Sequence, residues 1–236
     1  MSTLLSRLVL SSLVCLSLSL ASPAARAFGA GGPPVDLLLV LAVDASGSID
    51  QDEFDLQKDG IADALADQKV LDAIRSGPLQ RIAVAYVEWG GPGTATTVVG
   101  WQAIENLGDA QRFGTTLRAA PRSSQSFNAI GDALMHSMDE IKAAPFEGMR
   151  AVIDLSGDNG DSRSATPAPR ARDIVTGEGI VINALAILDG RGPWLEETYR
   201  RSVIGGGGSF VKTAKDRADF ARALLEKLVL EIAEAP

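Results

Sequence analysis

Asp44, Ser46 and Ser48 stand at alternate positions of the string Asp44-Ala45-Ser46-Gly47-Ser48. Within a tight turn, side chains at i, i+2 and i+4 can converge on one point. One carboxylate and two hydroxyls at that point form a donor set for a hard divalent cation, Mg²⁺ or alternatively Mn²⁺ or Ca²⁺. A helix starting just beyond the turn adds its positive end, which favours an anionic group near the same point. The same residues, with Asp50, also have the side chains that cap a helix N-terminus, so a capping role stands beside the metal one. Composition narrows the choice of chemistry. The 236-residue chain has one histidine, His136, and one cysteine, Cys15, which excludes a zinc cluster, a disulfide scaffold and catalysis by paired histidines. Asp and Glu number 30 against 22 Lys and Arg, with no basic stripe, so no nucleic-acid partner is expected.

The elements around this string set its place. Val35 to Val43 is an almost unbroken apolar run that ends at Asp44, the pattern of a strand buried on both faces of a parallel sheet. The spacing of Phe54, Ile61 and Leu65 predicts a helix from about Asp50 to Ile74. Arg81 to Trp89 and Thr94 to Trp101 read as strands joined by the turn Gly90 to Gly93, a hairpin at the sheet edge. Helices are expected over Leu107 to Ala119 and over Ala129 to Ala143, where Ile130, Leu134, Met138 and Ile141 share a face and His136 falls on the solvated side. Arg150 to Leu155, Gly179 to Leu188 and Phe210 to Thr213 read as further strands. Pro169 to Thr176, Trp194 to Val203 and Asp216 to Glu234 read as the helices between and after them. The alternation predicts an α/β fold, a doubly wound, mostly parallel sheet with an antiparallel edge hairpin in a Rossmann-type three-layer sandwich. In such a sheet, ligands bind where the carboxyl ends of the strands meet the loops, which is where Asp44 falls.

The first 27 residues read as an address rather than as part of that fold. Arg7 is followed by an apolar stretch from Leu8 to Ala21, and Ala25-Arg26-Ala27 supplies small residues for cleavage. This three-part pattern marks residues 1–27 as a signal peptide, and a periplasmic or secreted protein without a stable membrane anchor after cleavage. Removing them takes away Arg7, Arg26 and Cys15, which leaves 20 basic and 30 acidic residues and no cysteine. Residues 28–34 then form a flexible Gly/Pro leader, and residues 35–236 a single domain.

The Asp44-x-Ser46-x-Ser48 string after the first strand, the hairpin ending near Trp89 and the later strand with its acidic loop resemble the von Willebrand factor A (vWA) domain. Tyr86-Val87-Glu88-Trp89 together with Val152-Ile153-Asp154-Leu155-Ser156-Gly157-Asp158 is similar, more narrowly, to a family of bacterial exported A-like domains with no assigned function. The resemblance implies a metal-ion-dependent adhesion site (MIDAS), whose cation keeps one position open for a carboxylate of a protein or peptide partner. It assigns the metal ligands to Asp44, Ser46, Ser48, Asn128 and Asp158. The sequence departs from the family at Asn128, where a threonine is expected ahead of Gly131, with Ser124 and Ser126 as neighbouring hydroxyls. Asn128 can equally cap the helix that starts at Ala129. In the third motif Gly157 separates Ser156 from Asp158, which leaves Asp154 and Asp161 as rivals to Asp158. An unpaired carboxylate at Asp154, inside a buried strand, would be costly.

Catalytic readings fit less well. A haloacid-dehalogenase-like phosphatase or hydrolase is the main alternative, but it needs a second aspartate where Ser46 stands. No G-x-S-x-G elbow surrounds Ser46 or Ser156, and no phosphate-binding G-x-x-x-x-G-K-[ST] loop occurs. A non-enzymatic binding module is therefore expected, with a vWA fold that binds through its loops over a degenerate metal site as a further alternative.

Overall fold

The computed structural model describes residues 27–47, 50–123, 126–190, 192–216 and 218–233. Ser48, Ser124 and all but the last residue of the expected signal peptide lie outside them.

The strand expected over 35–43 forms β1 (Pro34–Asp44) and is buried from Val35 onward except at half-buried Asp36. Leu37, Leu39, Leu41 and Val43 pack into one layer of the core, while Leu38, Val40 and Ala42 pack into the other. A strand covered on both faces has no polar side to show, which is why its sequence is apolar without a break from Leu37 to Val43. After it come α1 (Gln51–Ala66), α2 (Gln68–Ser76), β2 (Ile82–Trp89), β3 (Thr96–Ile104), α3 (Leu107–Ala119), α4 (Ile130–Lys142), β4 (Glu147–Gly157), α5 (Ala168–Gly177), β5 (Val181–Ile187), α6 (Trp194–Ser202), β6 (Val211–Ala214) and α7 (Phe220–Ala233). The strand order is β3-β2-β1-β4-β5-β6. All neighbours run parallel except β2 and β3, which form the antiparallel edge pair.

Side chains from α1, α2, α3 and α7 build the core on one face of the sheet, and those from α4, α5 and α6 build it on the other. The chain leaves β1 toward β2 on one side and returns to β4 on the opposite side. The loops that follow β1 and β4 therefore diverge at this switch point, the place where sheets of this kind bind ligands. Val43 lies level with Ser156 across the β1–β4 pair, so Asp44 at the end of β1 and Asp158 just past the end of β4 fall at the same edge of adjoining strands.

Two expectations change. The helix predicted over 50–74 is two helices, because Asp67 takes an extended conformation and its carboxylate accepts the Lys69 N–H at 2.8 Å, capping α2. The leader is tied down: Phe28 and Gly148 exchange backbone hydrogen bonds at 3.0 Å, and the Ala30 N–H donates to the Ala144 carbonyl at 2.9 Å. A Cβ on Gly29 would lie 2.0 Å from the Phe146 carbonyl oxygen, so the glycine that reads as loose lets two backbones meet.

Candidate metal centre

Asp44 closes β1 with its side chain out of solvent. One carboxylate oxygen, Oδ1, accepts the Ser46 N–H at 2.8 Å, which folds the chain sharply after the strand and buries Ser46 as well. The other, Oδ2, meets no hydrogen-bond donor among the described residues. Burial pushes the Asp44 carboxyl up to about 7, and the negative charge of Asp158 pushes in the same direction. The N–H and hydroxyl of Ser46, and after them the N–H of Asp158, oppose the shift without cancelling it. Two buried carboxylates thus lie near enough for the charge of one to act on the other. Such a pair must take up a proton or bind a cation.

Asp158 is placed by what lies beneath Gly157. A Cβ at Gly157 would fall 2.6 Å from the Tyr199 hydroxyl and 3.0 Å from the Trp89 ring, so only glycine lets β4 end over these two buried aromatics. Tyr199 donates from its hydroxyl to the Asn159 carbonyl at 2.9 Å. Burial, followed by the charges of Asp44 and Asp158, raises this phenol well above its ordinary value. Its hydroxyl thus lies within the field of both carboxylates.

Asn128 reaches the same end of the sheet by backbone hydrogen bonds on both sides. The Ala129 N–H donates to the Gly90 carbonyl, just past β2, at 2.6 Å. The Asn128 carbonyl accepts from the Ser162 N–H at 2.5 Å and from the Ser162 hydroxyl at 3.2 Å. Its amide oxygen, Oδ1, meets no donor among the described residues. The capping role for Asn128 is corrected here. α4 starts at Ile130 with no cap from its own preceding residues, and its Gly131 N–H is capped from a distant loop by Ser164 Oγ at 3.0 Å and Asp161 Oδ1 at 3.3 Å.

The same contacts sort the rival acids. Asp161 also accepts the Ala168 N–H at 3.0 Å, so its carboxylate joins the starts of α4 and α5. Asp154 pairs with Lys227 at 2.6 Å between the sheet and α7. Among the three, Asp158 is the acid whose charge acts on Asp44. Ser126 is exposed. His136, expected to be solvated, is half-buried: its Nε2 lies 3.0 Å from Thr97 Oγ1 and links α4 to β3.

Two supporting residues escaped the sequence reading. Arg122 Nη2 donates to the Ala45 and Ser46 carbonyls at 3.0 Å each, and Nη1 donates to the Asp50 carbonyl at 3.4 Å. Its guanidinium also lies over the Phe54 ring, 4.6 Å from the centroid. Buried Glu88 on β2 accepts the Ser123 N–H at 2.6 Å. Consecutive residues of the α3–α4 loop therefore hold the Asp44 turn on one side and β2 on the other. A glutamate within an otherwise apolar buried strand was the one available signal for Glu88; nothing near Arg122 in the chain marks it.

Asp44, Ser46, Asn128 and Asp158 all fall at this end of the sheet. Among the described residues no three of His, Cys, Asp and Glu come together as a metal-binding group. The donors available here are instead two carboxylates with hydroxyl and amide oxygens, which suits a hard cation.

Comparison with known proteins agrees with this architecture. The family model described as "Protein of unknown function (DUF1194)" matches residues 34–236. A comparison with curated proteins found no match. Proximal thread matrix protein 1 of the mussel byssus, solved with a zinc-occupied MIDAS motif, is 17% identical with a TM-score of 0.59, over 84% of this chain and 46% of that one. The vWF domain of the type V pili tip protein Mfa5 from Porphyromonas gingivalis is 8% identical with a TM-score of 0.59, over 86% and 98%. The pilus adhesin SpaC from Lactobacillus rhamnosus GG is 14% identical with a TM-score of 0.54, over 87% and 31%. The chain thus spans less than half the length of the mussel protein and about a third of the adhesin. At these identities the likeness establishes a vWA-like fold.

Proposed function

The chain belongs to the DUF1194 family of proteins of unknown function, and we propose that it is an exported vWA-like binding module with a cation-dependent site. Asp44, Ser46, Asn128 and Asp158, with Ser48 of the Asp44-x-Ser46-x-Ser48 string, would hold Mg²⁺, or Mn²⁺ or Ca²⁺ in its place. Such a cation supplies an open coordination position for a carboxylate of a protein or peptide partner. The observation that carries this reading is the buried Asp44 carboxylate, which feels the charge of a second buried acid and leaves one oxygen without a donor among the described residues. Without a cation this arrangement works against folding, as expected of groups placed for binding rather than for stability.

Arg122, Glu88 and Tyr199 position the turn, the α3–α4 loop and the end of β4. Asparagine at 128 brings an amide oxygen where the resemblance to the vWA domain leads one to expect a threonine hydroxyl, and an amide oxygen is an acceptable ligand for a hard cation. Export rests on the segment around Arg7 and Ala25-Arg26-Ala27. Among the described residues no helix is long and apolar enough to cross a membrane. The phosphatase alternative is disfavoured by Ser46, whose backbone N–H is spent on Asp44 and whose side chain provides no second carboxylate.

Titrating the mature protein with Mg²⁺, Mn²⁺ and Ca²⁺ while recording melting temperature tests the reading. An ion that binds only the native state, at a hundred-fold excess over its Kd, should raise the melting point by about 5–10 °C. Asp44→Asn should melt no lower than wild type in chelator, because it removes a buried charge beside Asp158, yet lose the response to cation. If no ion raises the melting point, or if the variant responds as wild type does, the cation site is refuted.

A further inference from the structure

The two loops that carry Asn128 and Asp158 also present an aromatic–guanidinium pair that the cation site does not use. Phe127 directly precedes Asn128. Arg163 directly follows Ser162, whose N–H and hydroxyl bond the Asn128 carbonyl. The Arg163 guanidinium lies over the Phe127 ring, 4.5 Å from its centroid. Both residues have left-handed backbones, with φ of 62° at Phe127 and 67° at Arg163, a region that disfavours bulky side chains.

Burial does not offset this strain. The Phe127 side chain is 52% exposed, and Arg163 is exposed too. Many other arginines are engaged: Arg118 bonds Asp59 and Asp63, Arg122 bonds three carbonyls, and Arg222 bonds Asp219 and Glu226. Arg163 makes no hydrogen bond or ion pair with a described residue; its interaction is the stack on Phe127. A guanidinium held flat on a ring keeps its edge donors in a fixed fork, the arrangement that receives a carboxylate through two parallel hydrogen bonds.

We propose that Arg163, stacked on Phe127, is a second carboxylate-docking point beside the cation site, and that the partner is an acidic peptide segment presenting one carboxylate to the cation and another to Arg163. The proposal rests on the cation-site reading for the first of these contacts only. Charge supports the pairing. The chain carries a formal net charge of −8, so its general surface repels an acidic segment and attraction must come from local positive groups. The bound cation supplies one such group, and Arg163 supplies the other on the adjoining loop.

N-acetylated, C-amidated peptides with two aspartates separated by one to four glycines test this against controls in which the second aspartate is asparagine. Binding to the mature protein is measured by NMR titration, in saturating Mg²⁺ and again in chelator. At one spacing or more, the two-acid peptide should bind about three- to five-fold more tightly than its control. Arg163→Ala should abolish that advantage while keeping the Mg²⁺-dependent rise in melting temperature, and Phe127→Gly should reduce it by unseating the guanidinium. No advantage at any spacing, or an advantage that persists in Arg163→Ala, overturns the proposal. If chelator leaves control binding unchanged, the cation reading fails by itself; an Arg163-dependent advantage in those conditions still supports the second docking point.

Discussion

Lys227 extends from α7 to within 2.6 Å of the Asp154 carboxylate on β4, with the two side chains 0% and 2% exposed. Glu231, one turn further along α7, also bonds the Lys227 ammonium and accepts the Asn183 amide N–H at 2.9 Å. The Arg150 guanidinium donates to the carbonyls of Glu231 and Ile232 at this end of the helix, at 2.9 and 3.3 Å. Two carboxylates and one ammonium thus share an apolar interior. Burial, and after it the charge of Asp154, pushes the Glu231 carboxyl up to about 8 in spite of Lys227 and Asn183. One proton on Glu231 leaves the cluster neutral.

Stability should therefore fall as pH rises. Below Glu231's ordinary value of 4.5 both folded and unfolded chains are protonated there; above it the unfolded chain loses the proton while the folded one keeps it to about 8. The contribution is fully present below about 4.5 and is lost as pH passes through about 8. Asp44, raised to about 7, acts in the same direction in metal-free protein. The share of Glu231 is the difference between wild type and Glu231→Gln in urea midpoints taken in chelator from pH 5 to 9. The variant should show the shallower fall, and parallel curves would refute the assignment.

Gly157→Ala should cost about 1–3 kcal/mol, because the added methyl meets the Tyr199 hydroxyl and the Trp89 ring where neither has room to retreat. The displacement is passed on to Asp158, the next residue, so the cation-induced rise in melting temperature should shrink as well. A variant with a wild-type urea midpoint would show that β4 ends more loosely than described.

Arg122→Ala should weaken Mg²⁺ binding by about ten-fold, the scale seen when a residue that orients metal ligands is removed. The guanidinium is lost from the Ala45, Ser46 and Asp50 carbonyls together, although Asp50 still accepts the Phe54 N–H at 3.0 Å. Arg122→Lys should recover little, since an ammonium cannot span the Ala45, Ser46 and Asp50 carbonyls as the fork does. Calorimetric titration reads both variants, and wild-type affinity in Arg122→Ala would assign the arginine to stability alone.

What the sequence made legible follows from which interactions are local. β1 could be read from Val35 to Val43 because burial on both faces leaves a run that is apolar except at Asp36, and the turn after it because Asp44 and Ser46 are near neighbours in the chain. The break at Asp67 was hidden because an acid within a helical pattern looks like a solvated position until its extended backbone is seen. Lys227 and Glu231, four apart on a helix, look like an exposed pair, and the acid that draws Lys227 inward lies on a distant strand. Asp154 shows the same limit from the other side: its cost as a buried carboxylate was foreseeable, but its partner was not. The capping of α4 by Asp161 and Ser164 likewise joins residues remote in sequence, and it leaves the Asn128 side chain out of that role.

The hydrogen bonds of Phe28 to Gly148 and of Arg150 to the last turn of α7 place both ends of the described chain beside the start of β4. Asp44 and Asp158 lie at the opposite edge, where the strands finish. The two described ends thus lie at one pole of the sheet, and the loops that carry Asp44 and Asp158 lie at the other. Tethering through either end, to a neighbouring module or to a sensor chip, would leave those loops pointing outward.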